Sequence, residues 1–183
     1  TNTTGFTNSN TTIARSTAQA AIGSASLLVT TTTSGTAIGY TLTGTSGVPV
    51  TPGLPYTATI STLQGTTVSG AHIRIWWYKS DGAASVVRST DTAFCTVGTA
   101  WSAATVSGIA PSDAAYAAIG IYWTSAGAGE TVYLDKFGFW LGTGGEWMPP
   151  GVPIPGAVSP TSQVYQGLGN LLPVNMSTFG DAA

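Results

Sequence analysis

Ala117, Ile119, Ile121 and Trp123 alternate with Ala118, Gly120 and Tyr122 inside the stretch WSAATVSGIAPSDAAYAAIGIYWTSAGAGETVYLD, residues 101–135. Apolar residues at every second position place one face of an extended chain against a core and leave the other face outside. The stretch therefore predicts two strands joined by an Ala110-Pro111 turn, then a third strand ending on the isolated Asp135. Further candidate strands lie at 11–15, 25–32, 36–43, 56–63, 70–79, 85–89 and 92–97, with 105–108, 115–124 and 130–140 as the three just described. Turn chemistry separates them: Ser34-Gly35, the segment between Pro49 and Pro55, Ser80-Asp81-Gly82, Gly108 with Pro111, and Gly127 to Gly129. The best helix candidate, residues 17–22, has only six positions. About ten short strands without a helical period predict an all-β fold, a jelly-roll β-sandwich.

Composition narrows what such a sandwich does. Charged residues make up 7% of the 183, against about 25% in an ordinary globular domain. The five basic residues, Arg15, Arg74, Lys79, Arg88 and Lys136, form no stripe that would neutralise phosphates, so a nucleic-acid partner is not expected. Every apolar run is broken within a few residues by Thr, Ser or Gly, so membrane insertion is not expected either. Six Trp, seven Tyr and five Phe argue equally against disorder. What remains is a hydroxylated surface with little like-charge repulsion, suited to an assembly or to the outside of a cell. Cys95 is the single cysteine and, in the strand-like run Ala93 to Val97, predicts a buried, inert thiol. With Thr1 first and neither a signal peptide nor an initiator Met, the chain is expected to be a processed or trimmed product.

The pattern changes after Trp140. Residues 142–183 carry Pro149, Pro150, Pro153, Pro155, Pro160 and Pro173 with no alternation, which predicts an extended arm unable to join a central strand. Trp147, Met148, Tyr165, Leu171, Leu172 and Phe179 give that arm more apolar anchors than a solvated linker needs. The chain is thus expected to divide into a sandwich at 1–141 and an arm at 142–183. The arm would dock on its own domain or on a partner chain, either other proteins of an assembly or copies of itself.

The order of segments resembles the galactose-binding-like jelly roll of xylanase-type carbohydrate-binding modules. The landmarks are ARSTAQAAIGSASLLVT, PVTPGLPYTATIST around Gly53 and Tyr56, IRIWWYKSDGA with Trp77, Tyr78 and Gly82, then Trp101, Ala110-Pro111 and Leu134-Asp135. Modules of this kind occur in polysaccharide-degrading enzymes and in minor tail proteins of phages that infect actinobacteria. The ending DKFGFWLGTGGEWMPPG is more similar to the phage group. That resemblance implies a non-enzymatic virion component, a minor tail or surface-decorating protein on an extracellular particle. It leaves open a module of a secreted polysaccharide-active enzyme, and a purely structural virion protein without a glycan ligand.

Candidate sites follow from alternation and resemblance together. Ile73, Ile75 and Trp77 should face the core, leaving His72, Arg74, Trp76 and Tyr78 on the opposite side, with Tyr116 and Tyr122 outward on the neighbouring strand. Arg74, Trp76, Tyr78 and Tyr122 are the expected carbohydrate-binding residues, because aromatic faces pack on the C–H faces of sugar rings while Arg donates to hydroxyls. The competing reading, which the arm favours, has these aromatics covered by the arm or a neighbouring subunit. The resemblance also implies a structural calcium at Asp135; the alternative is an aspartate accepting backbone N–H bonds. No catalytic residue is expected. His72 is the only histidine, no nucleophile-elbow motif accompanies it, and neither the loop-like Asp113 and Glu130 nor the turn-like Asp81 and Asp91 read as a glycosidase pair.

Overall fold

The structure, a computed structural model, describes residues 6–41, 43–66 and 70–142, with the main chain alone at 38, 40 and 41. Two antiparallel sheets face each other. Sheet A runs in the order β1 (Phe6–Ser9), β4 (Gly35–Thr41), β10 (Tyr116–Ala126), β7 (Ala71–Tyr78), β8 (Thr90–Phe94), and the two-residue β5 (Val48–Pro49) also pairs with β10. Sheet B runs β2 (Thr11–Ser16), β3 (Ser26–Thr31), β11 (Thr131–Leu141), β6 (Pro55–Gln64), β9 (Ser102–Ile109). This is the jelly-roll β-sandwich expected from the alternation.

The core lies where the alternation puts it. Ile73, Ile75 and Trp77 of β7 meet Ala117, Ile119, Ile121 and Trp123 of β10, and all seven are buried. Leu27, Val29, Ala58, Ile60, Val132 and Leu134 close the layer from sheet B. Tyr56 stacks on Phe139 with ring centroids 5.3 Å apart and meets Trp77 edge-on at 6.1 Å. Such offset and edge contacts add to the area term that dominates a core of this kind.

Several expectations differ from the structure. Residues 17–22 form no helix: the amides of Ala21 and Ile22 donate to the Asp135 carboxylate from β11 instead of to carbonyls one turn back. Residues 85–89 are not a strand. Ser85 Oγ and Val86 N–H donate to Asp113, and Arg88 N–H donates to Ser85 Oγ, so local side-chain bonds hold a turn there. Two strands arise where none was expected, β1 and β5. Their sequences, FTNS and VP, lack the apolar alternation because each lies at a sheet margin and pairs on one side. Asp91, expected in a turn, belongs to β8. The strand expected at 130–140 is β11, and what its pattern did not show is a bulge between Asp135 and Gly138, with Lys136 at φ 48°. The extra residue reverses the alternation, so that Phe137 and Phe139 turn inward after Leu134.

Candidate functional site

The outer face of sheet A is built by register. On β7, the residues alternating with the buried Ile73, Ile75 and Trp77 are His72, Arg74, Trp76 and Tyr78, all half-buried. Antiparallel pairing with β10 sets Tyr122 opposite His72, Gly120 opposite Arg74, Ala118 opposite Trp76 and Tyr116 opposite Tyr78. Pairing with β8 sets Phe94 opposite His72, Thr92 opposite Arg74 and Thr90 opposite Trp76. Because Gly120 has no side chain, Arg74 can cross β10 to its diagonal neighbour, the separation at which long side chains meet aromatic rings. The Arg74 guanidinium carbon lies 3.4 Å from the Tyr122 ring centroid and 5.6 Å from that of Trp76.

His72 occupies the end of the row. Its Nδ1 lies 3.0 Å from the Gly70 carbonyl, so Nδ1 carries the proton and donates there. Its ring meets Phe94 edge-on at 5.5 Å and tilts against Tyr122 at 6.4 Å. Phe94 is 68% exposed. Sequence reasoning did not single out Phe94, although its place next to the buried Cys95 was the available signal. Among the four expected sugar-contact residues, the structure gathers Arg74, Trp76 and Tyr122. Tyr78 stands four residues from Arg74, about 13 Å along the strand, beside Tyr116.

Aromatic rings and one guanidinium on a sheet face can pack on the apolar faces of a flat polar ligand and donate to its oxygens. They supply no nucleophile and no carboxylate pair. Three of the described acids serve elsewhere. Asp81 Oδ1 caps its own turn through Ala83 N–H at 2.9 Å while Lys79 lies 3.2 Å from Oδ2, and together these hold its carboxyl below the ordinary range. Asp91 Oδ2 accepts the Trp77 indole N–H at 2.7 Å and pairs with Arg88 at 3.2 Å, sealing the core at the β8 edge. Asp113 accepts from Ser85 Oγ at 2.5 Å, chiefly which lowers its pKa. The Cys95 thiol is buried beside Thr62 Oγ1, and burial pushes its pKa up.

No protein-family model matches this chain, and no curated protein does. Solved structures do. The CBM22-1 xylan-binding domain from Paenibacillus barcinonensis Xyn10C superposes with a TM-score of 0.58 at 16% identity, over 78% of this chain and 89% of that one. One of the carbohydrate-binding modules of the β-sandwich superfamily gives 0.52 at 23% identity, over 75% of this chain and 58% of that one. The enzymatically active domain of bacteriophage CBA120 tailspike protein 4 gives 0.55 at 15% identity, over 75% of this chain but 19% of that one. The chain has the fold of a carbohydrate-binding module. At these identities the likeness is one of fold.

The structural calcium implied at Asp135 can be tested against this sandwich. Asp135 is 6% exposed. Its Oδ2 accepts N–H bonds from Ala21 at 2.7 Å and Ile22 at 3.1 Å, and its Oδ1 accepts from Lys136 at 2.8 Å. A calcium ion gathers six to eight oxygens, whereas N–H groups present positive ends to the space around this carboxylate. Among the described residues no three His, Cys, Asp or Glu side chains come together. The described surroundings therefore fit a carboxylate clamp on the amides of Ala21 and Ile22 and do not fit a calcium ion. The expected arm anchors, Trp147, Met148, Tyr165, Leu171, Leu172 and Phe179, lie outside the described residues.

Proposed function

We propose that this chain is a non-enzymatic virion component of a bacteriophage, a minor tail or surface-decorating protein, that adheres to cell-surface glycans through the outer face of sheet A. The observation that carries the reading is the laying of Arg74 across Tyr122 beside Trp76, on a sheet whose opposite face is core. A flat ligand placed there meets ring faces and N–H donors together, the combination that orients a sugar. The phage setting draws support from the tailspike domain of like fold and from the DKFGFWLGTGGEWMPPG ending. In this reading the segment from 144 to 183 attaches the module to neighbouring virion proteins or to copies of itself.

The test is Trp76→Ala on a glycan array. The variant should lose retention while its melting temperature stays within a few degrees of the parent, because Trp76 faces away from the core. If the intact protein is retained on no glycan, the adhesion reading fails and a purely structural role takes its place. The xylan-binding domain of like fold, 89% of which is covered, favours a second reading as a module of a secreted polysaccharide-active enzyme. Detecting the chain in purified particles, or in a culture supernatant fused to a catalytic domain, separates the two.

A further inference from the structure

Resting on the glycan reading above, we infer that the ligand is an acidic glycan whose carboxylate is held by Arg74. Arg74 is the one cation on its row of sheet A. Its cross-strand neighbours are Gly120 and Thr92, and its neighbours along the row are His72 and Trp76. None carries a negative charge. Lys79 pairs with Asp81 and Arg88 with Asp91, and Arg74 enters neither pair. Two further described acids have other partners: Asp113 binds Ser85 and Val86, and Asp135 binds three backbone amides.

The Arg74 Nε–H is buried and has no hydrogen-bond partner. Native folds rarely leave a buried donor unmade, and here it means that no acceptor on this chain already holds that edge of the guanidinium. The guanidinium is also already oriented. Its carbon rests 3.4 Å over the Tyr122 ring centroid, a contact that limits the side-chain freedom left to be lost when an anion arrives. A carboxylate matches the planar N–H fork two bonds at a time, and such charge-assisted pairs are about twice as strong as neutral ones. Trp76 beside the guanidinium then supplies a ring for the sugar that bears the acid. A neutral glycan would leave the fork facing hydroxyls alone.

The experiment is an array of galacturonan, glucuronoxylan and alginate fragments, each beside its carboxyl-reduced form, with phosphate-bearing glycans alongside. The intact protein should bind at least one uronate fragment roughly tenfold more tightly than its reduced counterpart. That preference should shrink as salt rises. Arg74→Gln should erase the preference and Arg74→Lys should keep part of it, with each variant's melting temperature recorded as a check on folding. The parent's acid-to-reduced ratio decides the matter even if a variant does not fold. Equal binding to both forms overturns the acidic-ligand inference and leaves the glycan reading standing. Retention on phosphate-bearing glycans alone overturns the carboxylate assignment. Retention on nothing overturns the reading beneath it.

Discussion

Asp135 shows how one side chain can replace a larger device. Three backbone amides, two of them from more than a hundred residues away in sequence, converge on its carboxylate. Hydrogen bonds to a charged group contribute about 1.5–3 kcal/mol, and removing the acceptor leaves amides unmade in a buried place. Asp135→Ala should therefore cost about 3 kcal/mol in denaturant unfolding, and chelators should leave the melting point of the parent unchanged. A fall of several degrees on adding EDTA would restore the cation. The sequence marked Asp135 as an isolated acid at a strand's end, with calcium and N–H bonding both open. It could not decide between them, because the deciding donors, Ala21 and Ile22, are amides that any residue carries. Arg74 and Trp76 were legible because a period of two assigns faces. Phe94 was not singled out, since its short strand is bounded by turns and has too few positions for alternation to speak.

At the scale of elements, the long central strands were legible and the margins were not. β6, β7, β10 and β11 are each eight to eleven residues long and flanked on both sides; burial imposes its pattern directly on such sequences. β1 and β5 take their strand form from partners remote in sequence, and the 85–89 turn from Asp113, so local composition misleads at all three. The link from β4 into β5 carries a sharper test. A Cβ on Gly47 would stand 2.6 Å from the Ala117 carbonyl oxygen, a backbone atom that cannot swing aside, whereas one on Gly98 meets nothing within 4 Å. Gly47→Ala should cost about 1–3 kcal/mol by forcing β5 away from β10, and Gly98→Ala should change stability by less than about 0.5 kcal/mol. Equal effects would mean that β5 is not held against β10 as described.

For the whole molecule, the sandwich is the scaffold, one face of sheet A is the candidate site, and the tail segment is the proposed means of attachment. Deleting residues 144–183 should leave the melting point and the glycan retention of the sandwich intact while abolishing incorporation into particles. A shortened chain that still assembles would remove the tail from the account. The central claim concerns the face itself. It is tested most directly by amide and indole NMR shifts of the intact protein titrated with a retained oligosaccharide. The account predicts that the shifts gather on β7, β10 and β8, at Arg74, the Trp76 indole, Tyr122 and Phe94, and spare sheet B. Shifts centred on sheet B or on the loops at the ends of the sandwich would contradict it.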